Sequence, residues 1–67
     1  MFKIKYTREK AGITQEKLAE KVGISRIYLN ELENGRKKNP SFNLLKKIAK
    51  ALEVKISDLL EEEDESA

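Results

Sequence analysis

"TQEKLAEKVGISRIYLNELENG", Thr14 to Gly35, is the stretch on which the fold turns. It divides at Gly23-Ile24-Ser25 into two segments, each with apolar residues at helical spacing. Leu18, Ala19 and Val22 share one face of the first segment, and Leu29 and Leu32 define one side of the second. Thr14 and Ser25 stand just before these segments, where a hydroxyl can accept an otherwise unpaired backbone N–H of the first helical turn. A connection of only three residues forces the two helices to cross steeply, at roughly 90 to 120°.

The stretch is therefore a helix-turn-helix, and the rest of the chain reads outward from it. Helix 1 is predicted over Phe2 to Ala11 and is stopped by Gly12, with Tyr6 and Phe2 covering part of the core. Helix 3 ends near Asn34, before Gly35 and the basic loop "GRKKNP". Ser41 caps helix 4, whose Phe42, Leu45, Ile48, Ala49 and Leu52 form an apolar stripe. Val54 and Ile56 follow, and Ser57 opens a last short helix through Leu60. No segment shows the period-2 alternation of a strand, so the fold class is all-α, a compact set of five helices. None of the Ser/Thr caps has Glu or Gln three residues on, so no capping box is expected. Helices shorter than about 12 to 15 residues are marginal in water, so these must support one another. Residues 1–60 form the expected domain, and 61–67, "EEEDESA", an acidic tail expected to be disordered.

Composition narrows the function. The 67 residues are 39% charged and contain no Cys and no His. Disulfides, thiolate or imidazole metal sites and chemistry built on a Cys or His base are thereby excluded. No acid–base pair or nucleophile set is present, so an enzyme is not expected, and no cofactor or metal is implied. Apolar runs are too short for a membrane span or a signal peptide, and a cytoplasmic location is expected. The net charge of +2 averages two unlike regions. Residues 1–50 hold 13 Lys/Arg against 5 Asp/Glu, while residues 51–67 hold one Lys against 7 acids. A basic body suits a polyanion such as nucleic acid, because each neutralised phosphate releases counterions. It is also compatible with an ordinary Lys-rich surface.

With Leu29 and Leu32 turned inward, Arg26, Ile27, Asn30, Glu31 and Asn34 fall on another side of helix 3. An arginine fork can bond guanine O6 and N7, an isoleucine can cover a thymine methyl, Asn can pair with adenine, and a carboxylate can accept from cytosine N4. Ile27 is also open to a core or protein-interface role, and Glu31 is more often a solvated charge than a base contact. Gln15, in the first turn of helix 2, places an amide and a free backbone N–H where a phosphate gains from the helix dipole.

From Ile4 to Leu60 the sequence resembles the phage-repressor and Cro-like helix-turn-helix family, also called xenobiotic-response-element type. The likeness is carried by "TQ" opening helix 2, "LAEKVGIS" through the turn, "ENG" closing helix 3 and "NPS" before helix 4. It implies a lambda-repressor-like DNA-binding domain in which helix 3 enters the major groove of double-stranded DNA and homodimers read an inverted repeat, with half-sites about one helical turn apart. By position it implies base-reading places for Arg26, Ile27 and Glu31, beside the Asn30 that the helix face itself offers. It also implies phosphate or backbone contacts for Gln15, Tyr28, Asn34, Arg36, Lys37 and Lys38, and an internal ion pair between Arg8 and Glu33. Similar proteins dimerise through the segment after helix 4, here Val54, Ile56, Leu59 and Leu60. The sequence departs from the family pattern at Thr7, usually aliphatic, at Lys17, commonly Glu, and at Glu53, frequently Gly.

The leading expectation is a sequence-specific transcriptional regulator acting as a repressor. The alternative is an antitoxin-type DNA-binding protein whose acidic tail or last helix also grips a basic toxin partner.

Overall fold

The computed structural model describes residues 3–36 and 40–60. Lys37, Lys38 and the acidic tail 61–67 lie outside them. Four α-helices follow one another, α1 (Ile4–Lys10), α2 (Gln15–Val22), α3 (Arg26–Glu33) and α4 (Phe42–Leu52), and a single 3-10 turn, Ile56–Leu59, closes the described chain. The described residues contain no strand.

Three of the four expected caps act as such. The hydroxyl oxygens of Thr14, Ser25 and Ser41 accept the backbone N–H of Lys17, Tyr28 and Leu44 at 3.1, 3.0 and 3.1 Å. Between α2 and α3 the chain reverses at Gly23, whose φ of 87° lies in the left-handed region. A Cβ there would meet nothing within 4 Å. The requirement for glycine is thus conformational and not one of space.

The core lies where α2 packs on α3 and α4, with α1 and the final turn closing its other side. Ile4, Leu18, Leu29, Leu32, Ile48 and Leu59 are the largest fully buried side chains, and Ala19, Val22, Leu45, Ala49 and Leu52 fill the space between them. Ala19 and Ala49, both buried in this cluster, are small enough to leave the larger side chains room to interdigitate.

Several expectations are corrected. The last element is a 3-10 turn and not a fifth α-helix, and it begins one residue before Ser57. Its cap residue is Lys55, whose N–H donates to the Asp58 carboxylate at 3.0 Å, so one arm of a capping box exists after all. Helix α1 is described over Ile4–Lys10 with Lys3 as its cap, and Phe2, expected to open it and to cover part of the core, lies outside the described residues. Phe42, counted into the apolar stripe of α4, is 63% exposed, because it opens the helix beyond the edge of the core; the Lys46 ammonium lies 5.7 Å from its ring centre. Tyr6 is 58% exposed and covers little of the core. Thr7, where the family pattern is usually aliphatic, donates its hydroxyl to the Lys3 carbonyl at 2.6 Å.

Leu59, assigned with its neighbours to a dimer surface, is fully buried in this chain's own core and cannot present its side chain to a partner. Its position is held by the Lys3 N–H, which donates to the Leu59 carbonyl at 2.8 Å. Val54 and Ile56 pack half-buried against the core, and only Leu60, 42% exposed, turns substantially outward.

Glu53 ends α4 at φ 59°, the one positive φ of a non-glycine residue among the described residues. Left-handed backbone costs an L-residue with a Cβ roughly 1 to 2 kcal/mol, partly offset by the entropy that a glycine loses on folding. Glu53→Gly is therefore expected to raise stability by about 0.5 to 1 kcal/mol, read as a higher urea midpoint at unchanged slope.

Candidate nucleic-acid interface

The turn and the caps fix where α3 lies, and the pairing of its last residue fixes how firmly. Glu33 is 4% exposed, and a carboxylate withdrawn from water is tolerable only if it is paired and hydrogen-bonded. Arg8 of α1 supplies a fork, Nε to Glu33 Oε2 at 2.6 Å and an η-nitrogen to Oε1 at 3.2 Å. Its other η-nitrogen donates to the Ile13 carbonyl at 2.7 Å. Gln15, at the start of α2, donates its side-chain amide to Glu33 Oε1 at 2.9 Å. One carboxylate thus joins α1, α2 and α3. Among the described residues, no buried side-chain nitrogen or oxygen lacks a partner. The Arg8–Glu33 pair expected from the family resemblance is present.

The outward side of α3 follows. Ile27 is 74% exposed, which removes the core reading left open by the sequence. Arg26 and Asn30 are exposed beside it, and Glu31 and Tyr28 are half-buried. Arg26 donates from Nε to Gln15 Oε1 at 3.4 Å, leaving both η-nitrogens of its fork available. Gln15 is therefore shared: its carbonyl faces Arg26, one amide hydrogen serves Glu33, and the other remains for a further acceptor. Asn34 turns its amide back on the Asn30 carbonyl at 2.9 Å and the Asn30 side-chain oxygen at 3.1 Å. These two residues form one polar ridge at the end of the helix. Beyond it, exposed Arg36 donates its backbone N–H to the Glu31 carbonyl at 2.8 Å, which fixes the start of the basic loop.

Hydrogen bonds join Gln15 to Arg26 and Asn34 to Asn30, Ile27 and Arg36 are exposed, and Lys37 and Lys38 fall outside the described residues. The Gln15–Glu33 and Arg26–Gln15 contacts were not foreseen. They join residues 18 and 11 positions apart, beyond any spacing rule for a single helix. Their only trace in the sequence was the placing of Gln15 and Arg26 as the first residue of adjacent capped helices. Among the described residues, no helix is long and apolar enough to cross a membrane.

Exposed apolar and forked cationic groups on a short helix, steered by a buried ion pair and separated from its neighbour by a tight glycine turn, define a helix-turn-helix protein. Residues 4–59 match the helix-turn-helix family of Cro/C1 type, and the chain belongs to it. It is 38% identical over 64 residues to the HTH-type transcriptional regulator SinR of Bacillus licheniformis, covering 96% of this chain and 58% of that protein. It is 46% identical over 63 residues to an uncharacterized HTH-type transcriptional regulator of Methanocaldococcus jannaschii, covering 94% of both. The chain thus spans little more than half the length of SinR but nearly all of the archaeal relative. Among solved structures it is similar to SinR, the master regulator for biofilm formation, in complex with DNA. The TM-score is 0.80 at 36% identity, covering 87% of this chain and 92% of that one.

Removing one member of a buried ion pair leaves the other charged and unpaired, at a cost of about 3 to 5 kcal/mol. Arg8→Leu is expected to lose a large part of that, whereas Arg8→Leu combined with Glu33→Met is expected to be more stable than Arg8→Leu alone. Thermal unfolding of both variants checks the sign, and additive losses would contradict it.

Proposed function

We propose that this chain is a sequence-specific DNA-binding transcriptional regulator that reads an inverted repeat as a homodimer, with α3 in the major groove, and represses transcription. The observation that carries the reading is the outward face of α3: an arginine fork steered by Gln15 stands next to an isoleucine left 74% exposed. A large aliphatic side chain held out beside a cation gains nothing from water but suits a base-pair edge, where a thymine methyl and guanine acceptors lie side by side. Asn30 and Glu31 occupy the next turn as further readers, to adenine and cytosine. Gln15, Tyr28, Asn34 and Arg36, with Lys37 and Lys38, serve as phosphate and backbone contacts that set register without carrying sequence information.

Support from relatives points the same way. SinR, similar over nearly the whole chain, has been solved with DNA, and the immunity repressor of Bacillus phage phi105 is 41% identical over 61 residues. Dimerisation is assigned to Leu60 with the outer edges of Val54 and Ile56, the apolar surface left at the end of the chain once Leu59 has entered the core. A second reading, a DNA-binding protein that also holds a protein partner as an antitoxin does, is favoured by one solved neighbour, the complex of SinR with SinI.

Selection of bound duplexes from a random pool, followed by titration at two salt concentrations, tests the assignment. Arg26→Ala is expected to weaken the selected site by about 1 to 3 kcal/mol and to relax preference at one base pair. Arg36→Ala is expected to weaken all duplexes alike and to lower the salt slope by about one. Equal weakening of every sequence by Arg26→Ala would remove its reading role. Leu60→Glu is expected to shift sedimentation of the DNA complex from two protomers per repeat to one.

A further inference from the structure

Outside the face of α3, the described surface holds a second concentration of cationic and aromatic groups. Lys3, Tyr6, Thr7 and Lys10 recur at i, i+3, i+4 and i+7 along α1 and its cap. With Ala11, Val54 and Asp58 they line an open groove of about 420 Å³. The stripe is not core: Tyr6 is 58% exposed, both lysines are exposed, and the Lys10 ammonium lies 5.6 Å from the centre of the Tyr6 ring. Neither lysine forms an ion pair with a carboxylate of another described residue. The only carboxylate among the described lining residues, Asp58, already accepts the Lys55 N–H at 3.0 Å.

We propose that this groove is the docking site of the chain's own acidic segment, Glu61–Glu65, which folds back in cis over Lys3, Tyr6 and Lys10. Three observations converge on that occupant. The chain reaches Leu60 at the groove itself, since the carbonyl of Leu59 accepts the Lys3 N–H at 2.8 Å and Val54 and Asp58 form the groove's near wall. The charges are complementary, five consecutive acids following a surface that offers two lysines and an aromatic face. The reach is sufficient, because Lys3 and Lys10 are about 10 Å apart along the helix at 1.5 Å per residue, and five extended residues span up to roughly 17 Å. Exposed ion pairs are individually weak. Attachment directly after Leu60, however, holds the carboxylates at millimolar effective concentration, so docking requires no second molecule. The contact is electrostatic and rim-exposed, and therefore fades as the screening length falls from about 10 Å at 0.1 M salt toward 3 Å at 1 M.

The test uses the whole chain, which has no cysteine of its own. A nitroxide attached through Ser66→Cys reports where the segment lies by broadening amide signals of the ¹⁵N-labelled protein. At low salt, broadening is expected along α1 as far as Lys10 and Ala11. It is expected to fade at Lys10 and Ala11 near 1 M salt. It is also expected to fade there when Lys3 and Lys10 are both changed to Gln, and independently when residues 61–65 are all changed to Gln, a variant that leaves every described residue intact. Three results would overturn the proposal. One is broadening at Lys10 that persists through all three changes. Another is broadening centred on α3. The third is broadening that appears on unlabelled-tail molecules mixed with tagged ones, which would place the segment on a second copy.

Discussion

A single carboxylate governs this small domain. Glu33 is buried at the end of α3, its charge is neutralised by Arg8 of α1, and Gln15 of α2 donates a further hydrogen bond to it. A charge in that position tolerates few arrangements, because every displacement of α3 against its neighbours would leave an ion without partners in a poorly hydrated place. The apolar core supplies most of the attraction, but it is non-directional and would accept sliding of one short helix on another. The bidentate fork of Arg8 and the amide of Gln15 are directional, and they lock the face that α3 turns outward.

That lock connects to the proposed recognition surface through one side chain. Gln15 donates to Glu33 and accepts from Arg26, so the buried ion pair and the exposed arginine are consecutive members of one hydrogen-bonded chain. A flexible arginine loses rotamer entropy when it grips a base edge, and a partial tether in the free protein reduces that loss. Ile27 needs no tether, being stiff at χ1 as a β-branched residue. Arg26 and Ile27, side by side on α3 and proposed as readers, are thus restrained by different means, one by bonding and one by its own branching.

Much of this was legible in the sequence, for identifiable reasons. Thr14, Ser25 and Ser41 announced three helix starts because a hydroxyl at that place has one strong use. Gly23 announced the turn, and the spacing of Leu29 and Leu32 separated the inward from the outward side of α3. The Arg8–Glu33 pair came from family likeness and not from spacing, since 25 residues separate its members. The Gln15 contacts were invisible because they depend on how helices are juxtaposed. Errors clustered at the ends of elements. Ser57 looked like a cap, but the backbone of Lys55 and the carboxylate of Asp58 closed the turn instead. Periodicity also placed Phe42 inside, and the family likeness left Leu59 for a partner. The core ended one turn short of Phe42, and Leu59 was needed to seal it against α1.

The most direct measurement is a crystal structure of the chain on the duplex it selects. Helix α3 is predicted to lie in the major groove with the Arg26 fork on a guanine edge and Ile27 against a thymine methyl. The Arg8–Glu33–Gln15 cluster is predicted to keep the contacts it has in the free protein. DNA seated on another surface, or a complex formed only after Glu33 exchanges its partners, would contradict a recognition face fixed in advance by that buried carboxylate.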